Sequence, residues 1–165
     1  MSLIEIERAV DQARDKYAVE EGYISSSEET SPWMPFLSEN VYIRYLNFDV
    51  RNNSTAVILR VDGYGGLGIH RHRGPVQAMT LEGSWRYEEY DWVSRAGDFV
   101  CESPGRTHTL VSDHGAKIYF HVHGVLEFLD EDENTNLVMD TFWMINHYET
   151  YCRENNIPIN KELFL

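Results

Sequence analysis

Val76–Val111, "VQAMTLEGSWRYEEYDWVSRAGDFVCESPGRTHTLV", consists of short apolar runs cut by turn residues. "VQAMTLEG", "WRYEEYDWV", "DFVCE" and "THTLV" are rich in Val, Tyr, Phe and Trp, the side chains that suit a pleated surface. Between them "EGS", "RAGD" and "SPGR" supply the Gly, Pro, Ser and Asp that turn a chain. The same texture continues outward. Upstream stand "VYIRYLNFDV" and "TAVILRV", separated by "RNNS"; downstream, after "SDHG", comes "KIYFHVHGVLEFL". From about Val41 to about Phe128 the apolar period is two, and no long helix intervenes. Many short strands at this spacing predict an all-β sandwich or small barrel and disfavour a parallel βαβ sheet.

Helical patterns flank the barrel. Over about residues 2–19, Leu3, Ile6, Val10, Ala13 and Tyr17 recur at helical spacing, with Ser2 and Glu5 forming a capping-box pattern. "EEGYISSSEETSPWMP" then reads as a connecting loop. Over about residues 136–155 a second helix is expected, with Val138, Phe142, Ile145, Tyr148 and Cys152 on one face. The 165 residues are expected to form one domain, residues 1–165.

The chain carries 14 basic and 27 acidic residues, a formal charge of −13. Such a field repels phosphate backbones and anionic lipid, so neither nucleic acid nor membrane is an expected partner. No apolar run is long enough to span a bilayer, and acids occupy the first residues where a secretory leader would carry bases. The two cysteines, Cys101 and Cys152, form no motif; Cys101 reads as a buried packing residue. A cytoplasmic location is expected.

"GIHRHRGPVQ", Gly68–Gln77, places His70 and His72 one residue apart. On a strand they project from the same face, either as space-filling side chains or as two ligands of one metal ion. Arg71 and Arg73 alternate with them and are expected to face away and form salt bridges. His108, opening "HTLV" after a Pro-Gly turn, is the natural third ligand. Three neutral imidazoles suit iron, zinc, nickel, copper or manganese and leave positions open for water or substrate.

Together "GIHRHRGPVQ" and "GDFVCESPGRTH" resemble the two-part signature of the cupins, small metal-binding jelly-roll β-barrels. Gly66 or Gly68, His70 and His72 match the first motif, and Gln77 stands where that motif has a glutamate ligand. Gly97, Pro104, Gly105 and His108 match the second, with Pro and Gly adjacent rather than one residue apart. "SPWMP", "LEGSWRYEEYDWVSRAGDFVCESPGRTHTLV" and "FHVHGVLEFLDEDEN" resemble the ChrR-like cupins, and within them the 2,4'-dihydroxyacetophenone and acetylacetone-cleaving dioxygenases. The resemblance implies His70, His72 and His108 as ligands of a divalent metal, Fe(II) first. It also implies a ketone substrate with O2, a C–C cleavage, and a homodimer or tetramer assisted by the tail "DTFWMINHYETY". Two rival readings are a non-catalytic ChrR-like sensor and a zinc or nickel hydrolase or isomerase. A sensor normally needs an attached partner-binding domain with a zinc motif, and the first twenty residues hold no Cys/His cluster.

Several further side chains are candidates. Gln77 would coordinate weakly, orient a bound water or substrate, or merely pack; with a neutral residue there, the ion keeps its full charge. Trp85, Tyr87 and Glu89 alternate onto one face. If that face is interior, Glu89 is a candidate acid or base and Tyr87 a candidate substrate contact; otherwise the strand simply has one solvated side. His121 and His123 in "FHVHG" are either strand residues or a pocket wall for substrate, and less plausibly ligands. Trp33 and Trp92 read as a pocket mouth or a subunit contact. "GYGGLG" is expected to be a flexible turn.

Overall fold

The computed structural model describes residues 2–165; Met1 of the expected domain lies outside the described residues. After helix α1 (Leu3–Tyr17) come strands β1 (Met34–Phe36), β2 (Ser38–Asp49), β3 (Ser54–Val61), β4 (Gly65–His72) and β5 (Val76–Tyr87). They are followed by β6 (Ser94–Arg95), β7 (Phe99–Glu102), β8 (Thr107–Ser112), β9 (Ala116–His123), β10 (Leu126–Leu129) and β11 (Thr135–Met139). Helix α2 (Thr141–Glu154) and a short 3-10 turn close the chain. All named strand pairs are antiparallel, as expected for an all-β cupin-type fold.

One wall runs β1-β2-β3-β9-β5, and a second runs from β5 through β8, β4 and β10 to β11. Strand β5 joins them. Its first residues pair with β9, the register slips between Thr80 and Glu82, and Arg86 and Tyr87 then pair with β8. The sheet therefore curls around a shared interior, filled by Ile43, Val57, Leu59, Trp85, Leu110, Ile118 and Val122. Alternation along β3 and β9 puts Val57, Leu59, Ile118 and Val122 inside, and in β5 the buried parity changes across the register slip, from Val76, Ala78 and Thr80 to Trp85 and Tyr87. The buried Trp85 indole N–H donates to Thr80 Oγ1 at 2.7 Å, so its polar atom is satisfied.

The structure corrects several boundaries. "VQAMTLEG" and the start of "WRYEEYDWV" form one strand with no turn at "EGS". Only Gly63 and Tyr64 of "GYGGLG" form a bend: Gly65 to Gly68 belong to β4, where Gly65, Gly66 and Leu67 pair with β8. A Cβ on Gly66 would sit 1.9 Å from the Leu110 carbonyl oxygen, so a side chain there would force the two strands apart. Part of "SPWMP" is strand β1. The expected C-terminal helix splits: residues 135–139 pair with β10, and Asp140 caps a helix that begins at Thr141. Its buried face is Thr141, Met144, Tyr148 and Cys152, while Val138 and Phe142 are exposed. Helix α1 forms with the expected Ser2–Glu5 capping box, but its apolar stripe is uncovered. Among the described residues no helix is long and apolar enough to cross a membrane.

Candidate metal centre

Strand β4 lies between β8 and β10, and this sandwiching assembles the site. His70 stands opposite His108 on β8 and Phe128 on β10, and His72 opposite Leu126. His70, His72 and His108 are all at most 5% exposed, and one ring nitrogen from each lies within 4.8 Å of the others. His70 Nδ1 lies 2.8 Å from the Gly68 carbonyl oxygen, an arrangement that places the proton on Nδ1 and frees Nε2 for a ligand. His108 is held by Tyr87, whose ring stacks on the imidazole at 3.7 Å with an interplanar angle of 6°. The Pro104–Gly105 turn is pinned to the first ligand strand. Gly105 takes the φ of +81° that the second central position of a type II turn requires, and its N–H donates to the His72 carbonyl at 2.7 Å.

The structure brings in one residue that the sequence reading missed, Glu102 at the end of β7. It lies opposite Val76 of β5 and is 5% exposed. Its Oε1 accepts a 2.5 Å hydrogen bond from the Tyr87 hydroxyl. Its Oε2 lies 3.2 Å from His72 Nε2 and 3.5 Å from His108 Nε2. Neither approach has hydrogen-bond geometry, so Glu102 Oε2 and His108 Nε2 are buried without a partner. Such orphaned atoms cost on the order of 1–3 kcal/mol each unless something satisfies them. With the ring nitrogen that His70 offers, those of His72 and His108 form a three-imidazole donor set for a divalent cation, and the Glu102 carboxyl stands beside it. The residues fit a metal.

Electrostatics agree. Burial, and secondarily the neighbouring imidazoles, pushes His72 down to about 2; burial and then His70 push His108 down to about 3; burial also lowers His70. All three rings are therefore neutral, the form that binds a metal. Burial raises Glu102 to about 7 despite the opposing hydrogen bond from Tyr87, and Tyr87 itself is raised by burial and then by Glu102. A carboxyl poised near neutrality beside three neutral imidazoles can hold or release a proton at the site.

Other expected residues lie elsewhere. Gln77 is exposed: Val76, Ala78 and Thr80 take the interior face of β5, so Gln77 and Met79 point out. Replacing Gln77 with Ala is expected to leave metal affinity unchanged within about twofold in a calorimetric titration, since the side chain faces away from the ligands. A tenfold loss would return it to the metal. Glu89 is not on the Tyr87 face, because β5 ends at Tyr87; Glu89 is exposed and accepts the Thr109 N–H at 2.8 Å. His121 and His123 occupy the outer face of β9, where His121 Nε2 meets Ser54 Oγ at 3.4 Å, and Phe120 and Val122 face inward instead. Cys101 is exposed rather than buried. Arg71 and Arg73 do turn away from the site and share Glu127.

On the side of Glu102 and His108 the centre opens into a cavity of about 500 Å³, walled by Tyr87, Tyr90, Trp92, Ser103 and Arg106. On the side of His70 and His72 lies an apolar void of about 40 Å³ among Val57, Leu59, Leu67, Phe120 and Val122.

The sequence matches the ChrR Cupin-like domain over residues 22–127, well over half of its length. The chain belongs to the ChrR cupin-like family. Among solved structures it is similar to an RmlC-like cupin protein from Ralstonia eutropha, at 29% identity over 88% of this chain and 95% of that chain, with a TM-score of 0.82. An acetylacetone dioxygenase from Acinetobacter johnsonii shares the fold at TM-score 0.75 and 16% identity, over 81% of this chain and 95% of that one. The Rhodobacter sphaeroides complex of SigE with the anti-sigma ChrR matches at TM-score 0.53 and 21% identity, over 74% of this cupin and 68% of that chain. No curated protein matches the sequence.

Proposed function

We propose that this cupin is a metal-dependent dioxygenase, with Fe(II) as its ion, that cleaves a C–C bond of an aromatic hydroxyketone or β-diketone. The observation that carries the reading is Glu102, a buried carboxyl set among three neutral imidazoles at the inner end of a cavity with aromatic walls. His70, His72 and His108 would hold the ion. When bound, it would supply Lewis acidity toward the ketone oxygens and, as iron, electrons toward O2.

The rest falls to the protein. Glu102 takes the α-proton of the ketone onto Oε2, and the Tyr87 hydroxyl on Oε1 keeps the carboxyl aimed at the histidines. Tyr87, stacked on His108, also holds that imidazole in its orientation. The apolar void beside His70 and His72 has room for one small apolar molecule, a property that suits O2. A hydroxyketone Ar–CO–CH2OH plus O2 gives ArCOOH plus HCOOH, with both oxygen atoms retained in the two acids. Two free cysteines accord with the cytoplasmic placement we also propose. A homodimer or tetramer remains part of the proposal, and the exposed Val138 and Phe142 offer it apolar surface.

Anaerobic loading with Fe(II), followed by oxygen-electrode measurement with 2-hydroxyacetophenone and with aryl β-diketones, is expected to show one O2 consumed per ketone. Absence of uptake with every chelating ketone would reject the dioxygenase. A second reading, a non-catalytic metal- or ligand-binding cupin, is favoured by the match to the ChrR domain itself. A zinc- or nickel-dependent hydrolase or isomerase uses the same donor set, and product analysis under nitrogen with those ions separates it.

A further inference from the structure

We propose that the 500 Å³ cavity selects aromatic ketones bearing a ring carboxylate, with Arg106 as its counter-ion. This rests on the ketone reading above and names the substrate class within it.

Two features of the cavity wall carry the inference. The first is flat aromatic surface. Tyr90 and Trp92 stack on one another with centroids 5.7 Å apart and planes 13° from parallel, yet remain 41% and 37% exposed. The buried Trp85 meets Trp92 in a T-shaped contact, with centroids 5.6 Å apart and planes at 90°. Large aromatic faces held rigid but left uncovered in a concavity are suited to receive another ring.

The second is an uncommitted cation. Arg106 is the one basic residue of this cavity, and among the described residues its side chain has neither an ion-pair nor a hydrogen-bond partner. The other charged group at the rim, Asp98, is turned back on its own loop, where its carboxylate accepts the Arg95 N–H at 2.8 Å. Ser103 adds a hydroxyl donor on the same turn. The chain carries a formal charge of −13 and the cavity is also lined by Asp98 and Glu102, so Arg106 is the guanidinium there with which an anionic ligand can pair. The backbone that carries Arg106 is tied to the metal-ligand strand, because the adjacent Gly105 N–H donates to the His72 carbonyl. A planar guanidinium matches the two oxygens of a carboxylate by paired charge-assisted hydrogen bonds.

The test uses zinc(II)-loaded protein, since zinc has no redox chemistry with which to consume O2. Calorimetry or tryptophan quenching compares para-carboxy 2-hydroxyacetophenone with its para-carboxamide, a neutral analogue of the same shape. The acid is expected to bind about fivefold to tenfold tighter at low salt, with the margin shrinking in half-molar salt because Arg106 is exposed. Arg106→Gln should remove that margin and leave the amide's affinity unchanged, and Arg106→Lys should keep part of it. Equal affinities in the wild type, a margin that survives Arg106→Gln, or no binding of either compound overturns the inference. An Arg106-dependent margin in a protein that consumes no O2 when loaded with iron keeps the inference and removes the dioxygenase.

Discussion

Replacing His70 with Ala is expected to abolish metal binding. The wild-type chain, purified without chelators, should retain one transition-metal ion and the variant none, as read by elemental analysis. The reason is geometric. His70 is 2% exposed, its ring is oriented by the Gly68 carbonyl, and its centroid lies 4.7 Å from that of His108 and 5.2 Å from that of His72. Removing it leaves two imidazoles and a carboxyl that no longer surround a point. The effect on stability is equally specific. A ligand present at about a hundred times its Kd stabilises the folded state by about 2.7 kcal/mol, which raises Tm by roughly 5 to 10 °C in a chain of this size. Added metal should give the wild type that gain and His70→Ala nothing, each shift being read against the protein's own metal-free Tm, which the cavity left by the buried ring lowers in the variant. A variant that keeps one equivalent of metal would dissolve the three-histidine centre.

Much of the architecture was written locally in the chain, because each strand carries its own alternation and each turn its own Gly, Pro, Asn or Asp. His70, His72 and His108 were legible for the same reason: two on one strand face, the third just after a Pro-Gly turn. What escaped was parity. "FVCE" admits two alternations, and reading Cys101 as interior sends Glu102 to solvent; the structure has Cys101 out and Glu102 in. The Pro104–Gly105 turn two residues after Glu102 and the inward His108 beyond it were the available signal. The position of Gln77 in the cupin motif suggested a ligand, yet Val76 opens β5 facing inward and forces Gln77 out. Glu89 failed on length, since alternation predicts a face only while the strand lasts. The C-terminal boundary was lost because Val138 fits helical spacing as well as it fits a strand, and only the pairing of β11 with β10 decides between them.

Glu102→Gln is expected to slow oxygen consumption by roughly a hundredfold to ten-thousandfold at pH 7.5, the range lost when a general base is removed. Glutamine preserves shape and can still accept the Tyr87 hydroxyl, but it cannot take up a proton. Metal content should stay at one ion per chain, and ketone affinity within a few-fold. The metal-free protein provides an independent check through its pH dependence. Burial raises the folded-state pKa of Glu102 from 4.5 to about 7, so its contribution to stability is fully present below pH 4.5 and is lost as pH rises through 7. His72 and His108 run the other way: with folded values of about 2 and 3 against 6.5, they weaken the fold as pH falls below 6.5. Those histidines are common to both proteins, so the difference in Tm between wild type and Glu102→Gln isolates the carboxyl. The wild type should lose ground to the variant steadily from about pH 4.5 to 7, and a bound cation should erase that loss by neutralising the buried carboxylate. If the two metal-free proteins track each other across this range, Glu102 does not ionise at the site. If Glu102→Gln instead loses the metal, the carboxylate is a ligand, and the proton it was assigned must be carried by another group.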